Sequence, residues 1–321
     1  MYFDSPLGRL RLPVICSPMF LVSGPDLVIA QCKAGVIGSF PALNAREKDG
    51  EPPLLEAWLK RITEELDAHN QANPDRPAAP FAVNQIVHRS NDRVERDVEI
   101  CARWKVPVWI TSMGAREDVN QAAHDCGGFV LHDVINNRFA KKAIDKGADG
   151  LIAVCSGAGG HAGTLSPFAL VQEIREWFDG PLALSGSIAT GRAILAAQAM
   201  GADFGYIGSP FIATNEAIAS ENYKQMIVDS GADDILYTSH FSGVNANYLK
   251  PSVRAIGLDP DKLTGEGNTL DLATGDVRPK AWRDIWGSGQ GIGAVHAVTT
   301  TADYVDRLDR EYRAAKEVLC A

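Results

Sequence analysis

One histidine stands in a run of otherwise small residues, Cys155-Ser156-Gly157-Ala158-Gly159-Gly160-His161-Ala162-Gly163. Glycine and alanine let backbone N–H groups approach a flat or anionic ligand closely. His161 is the side chain there whose ordinary pKa lies near neutrality, which suits it to moving a proton. Two further glycine-serine junctions follow, Ser185-Gly186-Ser187-Ile188 and Gly208-Ser209-Pro210-Phe211, each between an apolar run and a helical pattern. Unpaired N–H groups at helix starts favour an anion such as phosphate, and Ser187 and Ser209 add hydroxyl donors. Any single junction of this kind also reads as ordinary turn punctuation. Three in succession point to a binding loop set with a proton-transfer residue among them.

The elements that must position these loops alternate regularly. Short apolar runs at 13–17, 35–40, 81–85, 107–112, 128–132, 150–154, 181–185 and 203–207 read as strands, and amphipathic stretches at 53–69, 91–104, 116–125, 138–146, 167–178 and 191–200 read as helices. Alternation of this kind, with near-continuous apolar strands, predicts a parallel sheet covered by helices. Eight strands match a closed (β/α)8 TIM barrel, whose functional face is the set of loops after the strands, with phosphate commonly after the seventh and eighth. A doubly wound open sheet would carry its glycine fingerprint in the first unit, whereas here the glycine loops cluster in the last three. Beyond about residue 230 the alternation stops. The segments 238–250 and 264–278 read as a loop-rich C-terminal extension over the barrel, ended by a helix at 302–320. The organisation expected is a barrel at 1–230 and a lid with a closing helix at 231–321.

Composition narrows the function classes. The formal net charge is -9 over 321 residues, and no Lys/Arg run occurs; a nucleic-acid or anionic-membrane partner would need a concentrated basic footprint. The six cysteines, at 16, 32, 101, 126, 155 and 320, form no Cys-x-x-Cys pair, which fits reduced thiols and no structural zinc. No His-x-x-x-His or acidic cluster suggests any other metal. No stretch approaches about 18 uninterrupted apolar residues, and the N-terminus lacks an apolar leader pattern. The expectation is a cytoplasmic globular protein.

The order Gly-Ala-Asp at 147–149, Gly-Ala-Gly-Gly-His-Ala-Gly at 157–163, Ser-Gly-Ser at 185–187 and Gly-Ser-Pro at 208–210 resembles the nitronate monooxygenase family. So do Pro13-Val14-Ile15-Cys16-Ser17-Pro18-Met19, Phe81-Ala82-Val83-Asn84 and the late Gly287-Ser288-Gly289-Gln290-Gly291-Ile292-Gly293. The family consists of FMN-dependent TIM barrels that share fold and motifs with flavin-dependent quinone and enoyl-ACP reductases. The resemblance implies FMN as cofactor, with Ser17, Pro18, Met19, Asn84, His132, Ser156 and Gly160 among the cofactor-binding residues. It places Gly186, Ser187, Gly208 and Ser209 at the phosphate and His161 as the base or hydrogen-bond partner of the substrate. The chain departs from the family's usual residues at Gly157-Ala158, at 185–187 and at 208–210, and carries His132-Asp133 where some reductases have His-Lys.

Taken alone, His132 reads equally as a core histidine or as a ligand contact. Asp149 reads as a cap for backbone N–H groups, and Cys155 as a buried small residue. The function implied is an FMN-dependent oxidoreductase acting on an alkyl nitronate or related anion with O2, with a homodimer as the candidate assembly. Two alternatives stand beside it: an NAD(P)H-dependent flavin reductase for a quinone or enoyl thioester, and a barrel that binds FMN or another phosphate ligand without turnover.

Overall fold

The computed structural model describes residues 7, 9–47, 53–263 and 283–320; the polar segment at 264–278 lies outside them. Eight parallel strands form one sheet: β1 (Val14–Cys16), β2 (Gly38–Pro41), β3 (Phe81–Ile86), β4 (Val108–Ser112), β5 (Phe129–Val134), β6 (Gly150–Val154), β8 (Leu182–Ser185) and β9 (Phe204–Ile207). The two-residue β7 (Gly160–His161) lies outside that sheet. β9 pairs back with β1, and a parallel bridge between Ile15 and Ile37 joins β1 to the start of β2, closing the ring. The helices α1 (Pro25–Lys33), α2 (Leu54–Ala72), α3 (Val94–Arg103), α4 (Glu117–Asp125), α5 (Asn137–Asp145), α6 (Pro167–Arg175) and α7 (Gly191–Ala199) lie between successive barrel strands. This is the expected (β/α)8 barrel. Helix α1 escaped the reading of periodicity because its sequence, PDLVIAQCK, is buried on most sides and presents no polar stripe.

The period of two along each strand divides the core into two layers. Ile15, Val108, Ile110, Leu131, Ile152, Ala183 and Phe204 fill the barrel interior. The alternate residues, among them Val14, Val83, Trp109, Val130, Leu151 and Leu182, face the helices. At the foot of the barrel, Asp149 accepts the N–H of Val130 at 2.7 Å and His124 Nε2 at 2.9 Å. Asp203 repeats the device, accepting Leu182 N–H at 2.8 Å and Arg175 at 2.7 Å. The Gly-Ala-Asp turns therefore cap neighbouring strands at the end opposite the glycine loops.

After β9 come α8 (Ser209–Ile212), α9 (Glu221–Asp229), β10 (Ile235–Thr238), β11 (Ala246–Leu249), α10 (Lys250–Ala255) and α11 (Thr301–Cys320). Helix α11 packs on α7 and α1. Gly191 permits the close approach, since a Cβ there would collide with the Leu308 carbonyl, and Arg11 binds Asp306 and Asp309 of α11. The extension enters a second, antiparallel sheet in the order β10-β11-β7, with Ala246 opposite His161 and Asn247 opposite Gly160. Cys16, Cys32, Cys101, Cys126 and Cys155 are all free thiols.

Candidate active site

A cavity of about 240 Å³ opens at the C-terminal end of the barrel strands. Its floor follows from strand period: Ser17, Asn84, Ser112, Asp133, Val154, Ser185 and Tyr206 each lie two residues beyond an inward-facing core residue, and all line the cavity. Asn84 Nδ2 donates to Ser112 Oγ at 2.7 Å and to Ile110 O at 3.1 Å. The Ser112 hydroxyl and Met113 N–H in turn bond the Asp133 carboxylate, while burial pushes that group up to about 6. Met19, Val22, Ile86, Ile188 and Ile212 supply apolar walls.

The opposite wall consists of glycine loops pressed against each other. Gly157 has φ +83°, and a Cβ there would collide with Ser187 Oγ. A Cβ on Gly289 would lie 2.6 Å from Gly157 O, and one on Gly291 would lie 2.8 Å from Ser187 O. Gly157 O accepts the N–H of Gln290 at 2.9 Å and of Ser187 at 3.3 Å, and Ser209 Oγ accepts Gly289 N–H at 2.8 Å. The late glycine segment is thus a lid clamped onto both glycine-serine loops. Tyr223, stacked on Trp286, fixes it from behind by donating to Gly287 O at 2.5 Å. Met113 and Ser187 line the cavity with φ of +62° and +56°; such strained backbone in non-glycine residues concentrates at functional sites.

His161 reaches the cavity from β7. Burial, together with the nearby His88, lowers its pKa to about 4, so its imidazole is neutral at pH 7. The loop that carries it is held on both sides: Asn247 Nδ2 donates to Ala158 O at 2.7 Å, and the Tyr237 hydroxyl to Ala162 O at 2.9 Å.

Of the residues expected from sequence, Ser17, Pro18, Met19, Asn84, Gly160, His161, Gly186, Ser187, Gly208 and Ser209 converge on this cavity. His132 and Ser156 are not among its lining residues. Strand alternation explains the first: His132 follows inward Leu131 and is turned toward the helix layer, where Nδ1 lies 2.6 Å from Thr111 Oγ1. Burial there lowers its pKa to about 4. Its neighbour Asp133 takes the cavity position. Ser156 is exposed and is held through its N–H to Leu165 O at 2.8 Å. Ser112, Met113, Asp133 and Tyr206 were missed; carrying the inward register of each strand two residues further finds all but Met113. No sequence signal pointed to Tyr223.

The lining fits a flat aromatic group with an anionic tail: apolar walls, a polar floor, and hydroxyls and amides at the glycine-serine end. Among the described residues no Lys or Arg lines the cavity, so an anion there is held by neutral donors. No three His, Cys, Asp or Glu side chains among the described residues group as metal ligands, and no described helix is long and apolar enough to cross a membrane.

Residues 5–311 match the family model for nitronate monooxygenase. A nitronate monooxygenase of Paraburkholderia phytofirmans is 25% identical, over 98% of this chain and 96% of that protein. In fold, the chain is similar to FabK from Thermotoga maritima, with TM-score 0.76 at 22% identity over 97% of this chain and 96% of that one. It is equally similar to a nitroalkane oxidase from Streptomyces ansochromogenes, with TM-score 0.76 at 23% identity over 96% and 97%.

Proposed function

Because the chain belongs to the nitronate monooxygenase family of flavin-dependent oxidoreductases, we propose that it binds FMN in the barrel-mouth cavity and oxidises small alkyl nitronates with O2. The observation that carries this reading is the convergence of His161 with two glycine-serine loops in one cavity. In the proposed complex Gly186, Ser187, Gly208 and Ser209 hold the phosphate through amides and hydroxyls. Met19 and Asn84, which line the same cavity, would contact the FMN ring. When bound, FMN supplies the electron chemistry, accepting electrons from the substrate and passing them to O2.

The protein's own contribution is position and proton control. The lid formed by 287–291 and the apolar walls exclude water, which strengthens every polar contact inside. The neutral imidazole of His161 accepts a proton from the carbon beside a nitro group, and once protonated it donates a hydrogen bond to the oxygen of the nitronate so formed. A histidine already cationic could do only the second.

Oxygen uptake tests the reading. FMN-loaded protein is expected to consume O2 with an alkyl nitronate, and His161→Ala to lose about 10²–10⁴-fold in kcat with the parent nitroalkane, whose proton must be removed, while keeping its bound flavin. Equal turnover by wild type and variant would leave a flavin-binding barrel in which His161 does no chemistry.

A further inference from the structure

The C-terminal extension places a hydroxyl beside the His161 imidazole. Ser242, in the turn between β10 and β11, is 4% exposed. Its Oγ lies 2.9 Å from Val244 O, 3.2 Å from the Tyr248 hydroxyl and 3.4 Å from His161 Nε2. Three neighbours and one proton allow few arrangements. A carbonyl oxygen only accepts, so the Ser242 proton goes to Val244 O, the nearest of the three. The Tyr248 hydroxyl donates to Ser242 Oγ. One lone pair then remains, and it accepts from His161, which must present Nε2 as N–H. A serine hydroxyl donates once and accepts twice, so this arrangement fills its capacity.

We propose that Ser242 is a positioning residue that fixes the tautomer of His161, keeping the proton on Nε2 and the lone pair on Nδ1. Any proton that His161 accepts therefore arrives at Nδ1, and Nε2–H remains on Ser242 in both charge states. The β-pairing of Ala246 with His161 carries Ser242 and the histidine on one small sheet, so extension and catalytic loop are held in register. His88, from the loop after β3, is the titratable side chain whose charge acts on the imidazole directly. Tyr248 lies behind Ser242, and burial, opposed by the Ser242 bond, pushes its phenol up to about 12, so it stays neutral across the working range. The proposal rests on His161 as the site's base, but its decisive measurement does not.

That measurement is the ¹⁵N NMR spectrum of flavin-loaded protein carrying ¹⁵N-histidine at pH 7, with the His161 signals assigned by their loss in His161→Ala. The wild type is expected to show a protonated Nε2 and an unprotonated Nδ1. Ser242→Ala is expected to give mixed tautomers, to lower kcat with the parent nitroalkane roughly tenfold as misoriented bases do, and to move the acid limb of its pH profile downward. Ser242→Thr, which keeps the hydroxyl, is expected to restore the single tautomer and the limb. A proton on Nδ1 in the wild type overturns the proposal, and that outcome is readable even if Ser242→Ala fails to fold. A Ser242→Ala protein with unchanged tautomer and pH profile overturns it as well. Absence of nitronate turnover in the wild type would count against the proposed reaction alone, since the spectrum still reports the tautomer.

Discussion

His161 and Asp133 face one cavity, and the same cause moves them in opposite directions. Removal from water disfavours charge, so the imidazole falls to about 4 and the carboxyl rises to about 6. The consequence for stability has a definite sign. Asp133 has a folded pKa above its unfolded value, so the folded state prefers it protonated. Its cost is absent below pH 4 and develops as pH rises through about 6. Asp133→Asn is expected to raise stability by about 1–2 kcal/mol at pH 8 and to change nothing at pH 4. Thermal unfolding at the two pH values checks this, and equal effects at both would contradict it. His161 was legible in the sequence because an imidazole among glycines has few other uses. Asp133 was not, because the apolar run stops at His132 while β5 continues to Val134, and one residue of register exchanges helix layer for cavity.

At the scale of elements, glycines mark where loops interlock. The segment 287–291 was legible as a motif, but its partners were not. Only the folded chain shows Gly289 N–H on Ser209 Oγ and Gln290 N–H on Gly157 O. Gly289→Ala puts a methyl 2.6 Å from Gly157 O, which forces the lid away from both loops. Overpacking of this kind costs about 1–3 kcal/mol, so FMN titration into the apoprotein is expected to show a dissociation constant raised about 10–100-fold. Unchanged affinity would mean that the lid does not shape the cofactor site. The barrel strands and most helices were readable because each carries its own period. The sheet β10-β11-β7 was not, since it joins β7, two residues long, to β11, with His161 opposite Ala246, and neither length nor periodicity announces such a distant pairing.

At the scale of the whole molecule, the ring needs its C-terminal part. Helix α11 covers α7 and α1, with Tyr304 edge-on to Phe211 at 5.0 Å and Glu311 accepting Gly191 N–H at 2.8 Å. The extension that follows the barrel strands thus supplies barrel packing, the lid over the glycine loops and the hydroxyl beside His161. A net charge of -9 and a cavity lined by no described Lys or Arg suit a substrate recognised by shape and neutral donors. Anaerobic stopped-flow mixing of FMN-loaded protein decides whether a nitronate reacts at this cavity. Rapid bleaching of the flavin absorbance by an alkyl nitronate, with little by NADH or NADPH, is the expected result. Rapid bleaching by a reduced nicotinamide, with none by a nitronate, would contradict it and identify a flavin reductase instead.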